Sequence, residues 1–482
     1  MKIVLLAAVM LAVSLASPTP AIVEPAAHDP KIEALVTDAY GAPPEFAADI
    51  LLRIAGSARV SDPEWKQQLV FEAFLRAYAA SESYRRTSSR IPADSRQGAA
   101  LAAYQTGLNR ATLQARAVQL MLTLAPARAR ELFEWMDVSP AAATCADPLV
   151  PAVDEYYTTL SDIARRTFRG ARANAFQFLE LYLWRAHLPS EMPAVVLAIQ
   201  RFKPSTEESQ QLEGFLDALF SAGSFDARGF STANVDIVGR VADLQFFDRQ
   251  RQIPGWFLMD TLRAYVVKHL AGPRCSDSGT EALLPATFDG ALNLLHVGDT
   301  EVKRIEGAVI SPSQTLPPAK IDLFWQQGNA RRLYDAWLEL RGRGSSPVPL
   351  AVRRTTEWRH AADDLITSVE HWDGRDTPND GDYLFEKGTL FANIAELAPK
   401  GGAVRTRAVQ EQLDFLRHED RDRALRPLWF VFVDRLLQLS DREGGRGEVL
   451  DLMERSGDPV TALYARTDRL LPVGARKSDR QP

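Results

Sequence analysis

The chain has 482 residues, of which 46% are hydrophobic and 24% charged, and a formal net charge of −6. That balance is ordinary for a globular protein and supplies ample core material. A mildly acidic chain argues against a nucleic-acid partner or an anionic membrane surface.

Residues 1–16, MKIVLLAAVMLAVSLA, read as a secretory signal peptide. Lys2 supplies the charged start, Ile3 to Leu15 the apolar run, and Ser14-Leu15-Ala16 the small-x-small cleavage pattern, with the cut after Ala16. The residue directly after the cut is Ser17, not cysteine, so the bacterial lipoprotein pattern is missing. No later segment reaches about eighteen apolar residues, so no membrane insertion is expected. The expectation is an exported protein, periplasmic or extracellular, without an anchor.

Residues 17–140 read as an N-terminal helical region. Ser61-Asp62-Pro63-Glu64 predicts a capping box with proline in the first turn. Behind it Phe71, Phe74, Leu75 and Tyr78 recur at helical spacing and predict an apolar stripe, with Glu72 and Arg76 paired on another face. The middle region, 141–300, opens on a Pro- and Ala-rich seam at 137–151. Its helix from Ala175 to Leu188 is apolar almost all round, as expected of a buried helix. Glu180 and His187 share a side with Phe176 and Leu183. A carboxylate there would be desolvated and suited to general acid work, or simply paired with an arginine. Ser205-Thr206-Glu207-Glu208 predicts a second capping box, followed by Leu212, Phe215, Leu216 and Leu219 at helical spacing.

The C-terminal region, 301–470, follows a second seam at 298–318 that holds a short extended stretch near 302–310. Trp325 with Trp337, and Trp358 with Trp372, read as packing between helices. Around 351–372, Trp358, Ala362, Leu365, Val369 and Trp372 form one helical face. His360, Asp364, Thr367 and His371 form the opposite one. A histidine and an aspartate four residues apart can share a metal; a solvated face is the simpler reading. The acidic loop Asp373 to Asp382 fails as an EF-hand, because a frame starting at Asp376 puts Pro378 and Lys387 at ligand positions. Asp380 or Asp382 is instead expected to cap the next helix. Leu428, Trp429, Phe432, Leu436 and Leu439 predict a last strong stripe. Residues 471–482 read as a disordered tail.

Cys145 and Cys275 both sit in loop-like surroundings. In an oxidising compartment they are expected to form a disulfide, contributing on the order of 4–5 kcal/mol by loop closure.

The serial helices separated by Pro/Gly breaks predict an all-α fold, an irregular α-solenoid of antiparallel helix pairs. The spacing resembles tetratricopeptide-like secreted proteins, which implies at best a tetratricopeptide-like superhelix; no strict repeat of about 33–34 or 40–47 residues is present. Zincin, nucleophile-elbow, Walker and haem motifs are absent. Glu82-Ser83 is followed by Tyr84-Arg85-Arg86-Thr87, not by the Gly-Leu-Met-Gln of soluble lytic transglycosylases. The expectation is therefore a binding or scaffold module for a protein or peptide partner, with no cofactor and no metal. The competing expectation is an exported hydrolase or lyase on an envelope polymer, using Glu180, His187, or the His360/Asp364/His371 face.

Overall fold

A computed structural model describes residues 28–81, 84–86, 92–136, 149–151, 153–168, 170–186, 191–203, 208, 274–275, 315–316, 322–326, 328–344, 346–419, 422–442 and 447–471. They are overwhelmingly helical, as an all-α reading requires. Residues 1–27, Cys145, His187, the 302–310 stretch, the capping box at 205–207 and the helix beyond it, and the tail lie outside the described residues. Cys275 is described only as backbone.

The first helices are α1 (Pro30–Tyr40), α2 (Pro44–Gly56) and α3 (Pro63–Ala77). Each begins with proline, whose missing N–H has no partner to lose in a first turn. Then come α4 (Arg96–Gln105), α5 (Arg110–Leu124), α6 (Pro126–Glu134), α7 (Asp154–Thr167), α8 (Arg172–Leu183) and α9 (Met192–Phe202). The later set is α10 (Gly328–Arg341), α11 (Thr356–Glu370), α12 (Asp380–Leu397), α13 (Ala403–His418), α14 (Arg426–Arg442), α15 (Glu448–Glu454) and α16 (Pro459–Leu470). A single turn at Leu350–Arg353 precedes α11.

Two short ladders accompany the helices. β1 (Tyr84–Arg86) pairs antiparallel with β2 (Leu149–Pro151), with Tyr84 opposite Pro151. β3 (Arg274–Cys275) pairs in parallel with β4 (Thr315–Leu316). Segments of two or three residues are too short to show a period of two, so sequence alone does not reveal them.

Sequence neighbours pack as α1 on α2, α2 on α3, α5 on α6 and α12 on α13. Others do not follow the chain. α7 packs on α5 and α6 across residues 137–151, and one hydrophobic core runs through both sides of that segment. α16 packs on α1 and α2, and α4 packs on α14. The early and late helices therefore share a seam.

Asp49 of α2 lies at the heart of that seam, 2% exposed. Its Oδ1 accepts from Arg116 of α5 at 2.7 Å. Its Oδ2 accepts from Tyr464 Oη of α16 at 3.0 Å and pairs with Arg53 Nε at 2.9 Å. Burial pushes this carboxyl upward, but Arg53 and Arg116 outweigh it and hold it at about 2. Phe46, Trp429, Phe430 and Tyr464 pack around the same junction.

Several sequence expectations are corrected in detail. Asp62, not Ser61, caps α3, accepting from Glu64 N at 2.9 Å. Its buried face runs Leu69, Val70, Ala73, Phe74 and Ala77, while Leu75 is 41% exposed. Asn379, not Asp380 or Asp382, caps α12, because its extended backbone aims Oδ1 at Asp382 N, 2.9 Å away. α8 is not buried all round: Leu181 is 60% exposed and Trp184, just past its end, 46%. The face of α11 carrying Trp358, Ala362, Leu365 and Val369 is buried as expected, with Trp372 beyond it, and so are Trp429, Phe432, Leu436 and Leu439 of α14.

Candidate functional site

Among the described residues, the site with the most chemistry lies where α4 meets α12, the start of α14 and residues 322–326. Two cavities adjoin there. The larger, of about 740 Å³, is walled by Ala99, Ala100 and Ala103 of α4 and faces Leu425, Pro427 and Leu428. Small side chains on α4 leave this space unfilled. The smaller, of about 500 Å³, is lined by Asp322, Trp325, Asp376 and Glu386. Arg96, Phe324 and Asp382 form walls of both.

Local sequence sets this geometry. Ser95 caps α4 by accepting from Gly98 N at 3.0 Å, and its hydroxyl donates to Pro92 O at 2.6 Å. A Cβ on Gly98 would collide with Pro92 O, so this turn needs glycine. A bridge from Ser95 to Leu323 then fixes the loop beside the start of α4. Arg96, one residue on, forks onto Asp382, with Nε to Oδ1 at 2.8 Å and Nη2 to Oδ2 at 2.7 Å. Its Nη1 reaches Asp322 at 3.3 Å.

Across the smaller cavity, Asp376 accepts from Trp372 Nε1 at 2.9 Å and from the backbone N–H of Asn329, so it caps the start of α10. A Cβ at Gly328 would strike the same carboxylate. Trp325 sits in the left-handed region, with φ +64. For a bulky residue this costs about 1–3 kcal/mol. It is held by stacking on Tyr334, centroids 4.6 Å apart, and by its N–H, which donates to Glu386 Oε1 at 2.9 Å.

Glu386 is the unusual member. It is 5% exposed, and its Oε2 has no hydrogen-bond partner among the described residues. Burial, reinforced by Asp382 and Asp376, pushes its carboxyl up to about 7; the Trp325 N–H and Arg96 only partly oppose this. Lys387, next in sequence, does not neutralise it. It is turned about 100° round the helix. Its Nζ donates to Glu370 O at 3.1 Å, Trp372 O at 2.7 Å and Tyr383 Oη at 2.9 Å, all three of its donors.

At the far end of the larger cavity, Tyr104 donates to Glu155 Oε1 at 3.1 Å. Burial raises the Glu155 carboxyl, with neighbouring Asp154 adding to the effect.

The residues singled out from sequence lie elsewhere. Glu180 is half-buried on α8, beside the exposed Leu181. His360 on α11 and His371 at its C-terminal cap are exposed, and His371 Nδ1 contacts Thr367 O at 2.8 Å. Asp364 lines a separate groove of about 550 Å³ between α10 and α11. Among the described residues no group of three or more His, Cys, Asp or Glu side chains is placed to hold a metal ion. In the acidic loop Asp373 pairs with Arg375 at 2.9 Å, while Asp376 and Asp382 take the partners given above. Trp325 stacks on Tyr334, and Trp358 joins α11 to α10 by donating to Leu340 O at 3.1 Å. No described helix is long and apolar enough to cross a membrane.

From sequence, Arg96 and Glu386 go unnoticed, while Trp325 is read only as packing and Asp382 only as a cap. A usable signal exists: Glu386-Lys387 interrupts the apolar run of α12, between Phe385 and Leu390. Comparison with protein-family models, with curated proteins and with solved structures finds no match for this chain.

Proposed function

We propose that the chain is an exported binding or scaffold module that takes an extended peptide or protein segment in the cleft between α4 and α14. The observation that carries this reading is the larger cavity. Its walls combine alanine, leucine, proline and phenylalanine with polar groups that include Arg96, Tyr104, Asp382 and Arg423, the mixture expected of a binding cleft. Contacts between successive helices, such as α1 on α2, α2 on α3 and α12 on α13, support an irregular, tetratricopeptide-like superhelix, here with its first and last described helices in contact. Export rests on residues 1–16 and cleavage after Ala16. A Cys145–Cys275 disulfide belongs to the same reading, and intact mass with and without reductant tests it.

Selection from a random peptide display library on the immobilised protein tests the cleft. Enriched peptides should bind at least about tenfold more weakly to Ala103→Trp, which fills the cavity. Absence of enrichment, or binding indifferent to that substitution, overturns the reading.

One observation favours the competing reading, a hydrolase or lyase on an envelope polymer. A carboxylic acid raised to about 7 is half-protonated at neutral pH and suits general acid catalysis. Release of soluble fragments from purified wall polymer, lost in Glu386→Gln, would support it; no release counts against it.

A further inference from the structure

We propose that the smaller cavity is a cation subsite, built to receive the ammonium group of a lysine side chain from a peptide lying in the larger cleft. The inference rests on the peptide-binding reading and adds to it the chemistry that the ligand must carry.

Charge complementarity comes first. Among the described residues, four carboxylates, Asp322, Asp376, Asp382 and Glu386, line this space with one guanidinium, Arg96. The fork of Arg96 is committed to Asp382, and Asp376 is committed to Trp372 and the start of α10. Among the described residues that line it, Glu386 therefore finds no cation of its own within hydrogen-bond reach.

The second observation is independent of the charge count. Glu386 lines the cavity and is more than nine-tenths buried, and its Oε2 has no hydrogen-bond partner among the described residues. A buried acceptor left unpaired is destabilising, and an arriving N–H group removes that penalty. An ammonium brings three donors and a charge that a hydroxyl or amide lacks.

Ligand shape follows from the walls. Phe324 and Trp325, stacked on Phe385 and Tyr334, line the cavity as buried rings and give the methylenes behind the cation an apolar wall. Phe324 also borders the larger cleft, so an apolar residue seated there lies beside the entrance for a basic neighbour. The expected motif is an apolar residue followed or preceded by lysine.

The test uses the full-length protein and two dipeptides, N-acetyl-leucyl-lysine methylamide and its norleucine analogue, titrated by calorimetry at pH 8. The lysine form should bind at least about tenfold more tightly, and Glu386→Gln should bring the two within about twofold. The Glu386→Gln side chain keeps an acceptor oxygen for the Trp325 N–H, and circular dichroism checks the fold of the variant. As a second handle, Asp322→Asn at the rim should lower the preference about threefold. Equal affinities for the two dipeptides overturn the cation subsite. So does a tenfold preference surviving in Glu386→Gln, or one untouched by Asp322→Asn. The two readings fail differently. Binding of both dipeptides without preference, lost in Ala103→Trp, keeps the peptide cleft and sinks the subsite. If neither dipeptide binds, the cleft reading fails. Butylammonium alone then decides: binding that depends on Glu386 supports the subsite, and its absence sinks it.

Discussion

Asp49 and Glu386 are both carboxylates on the interior faces of apolar helices, and they have opposite fates. Asp49 meets Arg53, Arg116 and Tyr464, so every one of its short contacts is a donor and its carboxyl is held at about 2. Glu386 is buried beside two carboxylates, with one backbone N–H and the more distant charge of Arg96 in partial opposition, and is pushed up to about 7. Desolvation acts on both in the same direction; the supply of donors decides which side wins. A satisfied buried charge locks helices together. An unsatisfied one adds no such lock, and its charge remains uncompensated in the interior.

The comparison breaks most visibly at the seam. Asp49→Ala strands Arg53 and Arg116 without their shared partner and should cost about 3–5 kcal/mol in urea unfolding. A loss under about 1 kcal/mol would mean that apolar packing alone holds the seam. At Glu386 the sign reverses. Its folded-state pKa lies above the unfolded value of 4.5, so its stabilising contribution is complete below pH 4.5 and is lost as pH rises through about 7. Glu386→Gln should therefore gain about 3 kcal/mol relative to the parent at pH 8 and little at pH 4.5. Equal stability of the two proteins at both pH values would contradict the burial argument.

Asp49 predicts the mirror profile. Its contribution, about 2–3 kcal/mol, is present above pH 3.8 and lost as pH falls towards 2, visible as an acid-limb slope missing in Asp49→Ala. Packing next to the acid cavity gives a smaller effect. A Cβ on Gly388 would lie 2.8 Å from the ring of Phe432, so Gly388→Ala should cost about 1–3 kcal/mol by forcing α12 off α14. Leu181→Ser, on the exposed side of α8, should change stability by less than about 0.5 kcal/mol by thermal melting.

Legibility follows the range of each interaction. The buried face of α11 and the stripe of α14 are written in a local period of 3.6 and are plain in the sequence. The period alone misplaces the stripe of α3 and the burial of α8, because which side faces a neighbour is decided by other helices. Leu181 has none against it that covers it. Capping shifts by one residue at Asp62 and by one to three at Asn379, since the choice among adjacent polar side chains depends on backbone angles. The site itself is long-range. Glu386 finds its N–H 61 residues away and Arg96 finds Asp382 at a separation of 286. No window of sequence contains such pairs. The His360/Asp364/His371 face, by contrast, is conspicuous because it is local, and the structure leaves both histidines in solvent.

The seam also has a consequence in time. Tyr464 reaches Asp49 across 415 residues, and Arg466 reaches Asp38 across 428. A ribosome delivers α2 long before α16, so the first helices wait for almost the whole of translation with one flank uncovered. Closing so distant a contact is slow as well as late. Until it closes, the apolar side of α2 around Phe46 is a surface for chaperones, or for aggregation, rather than a core.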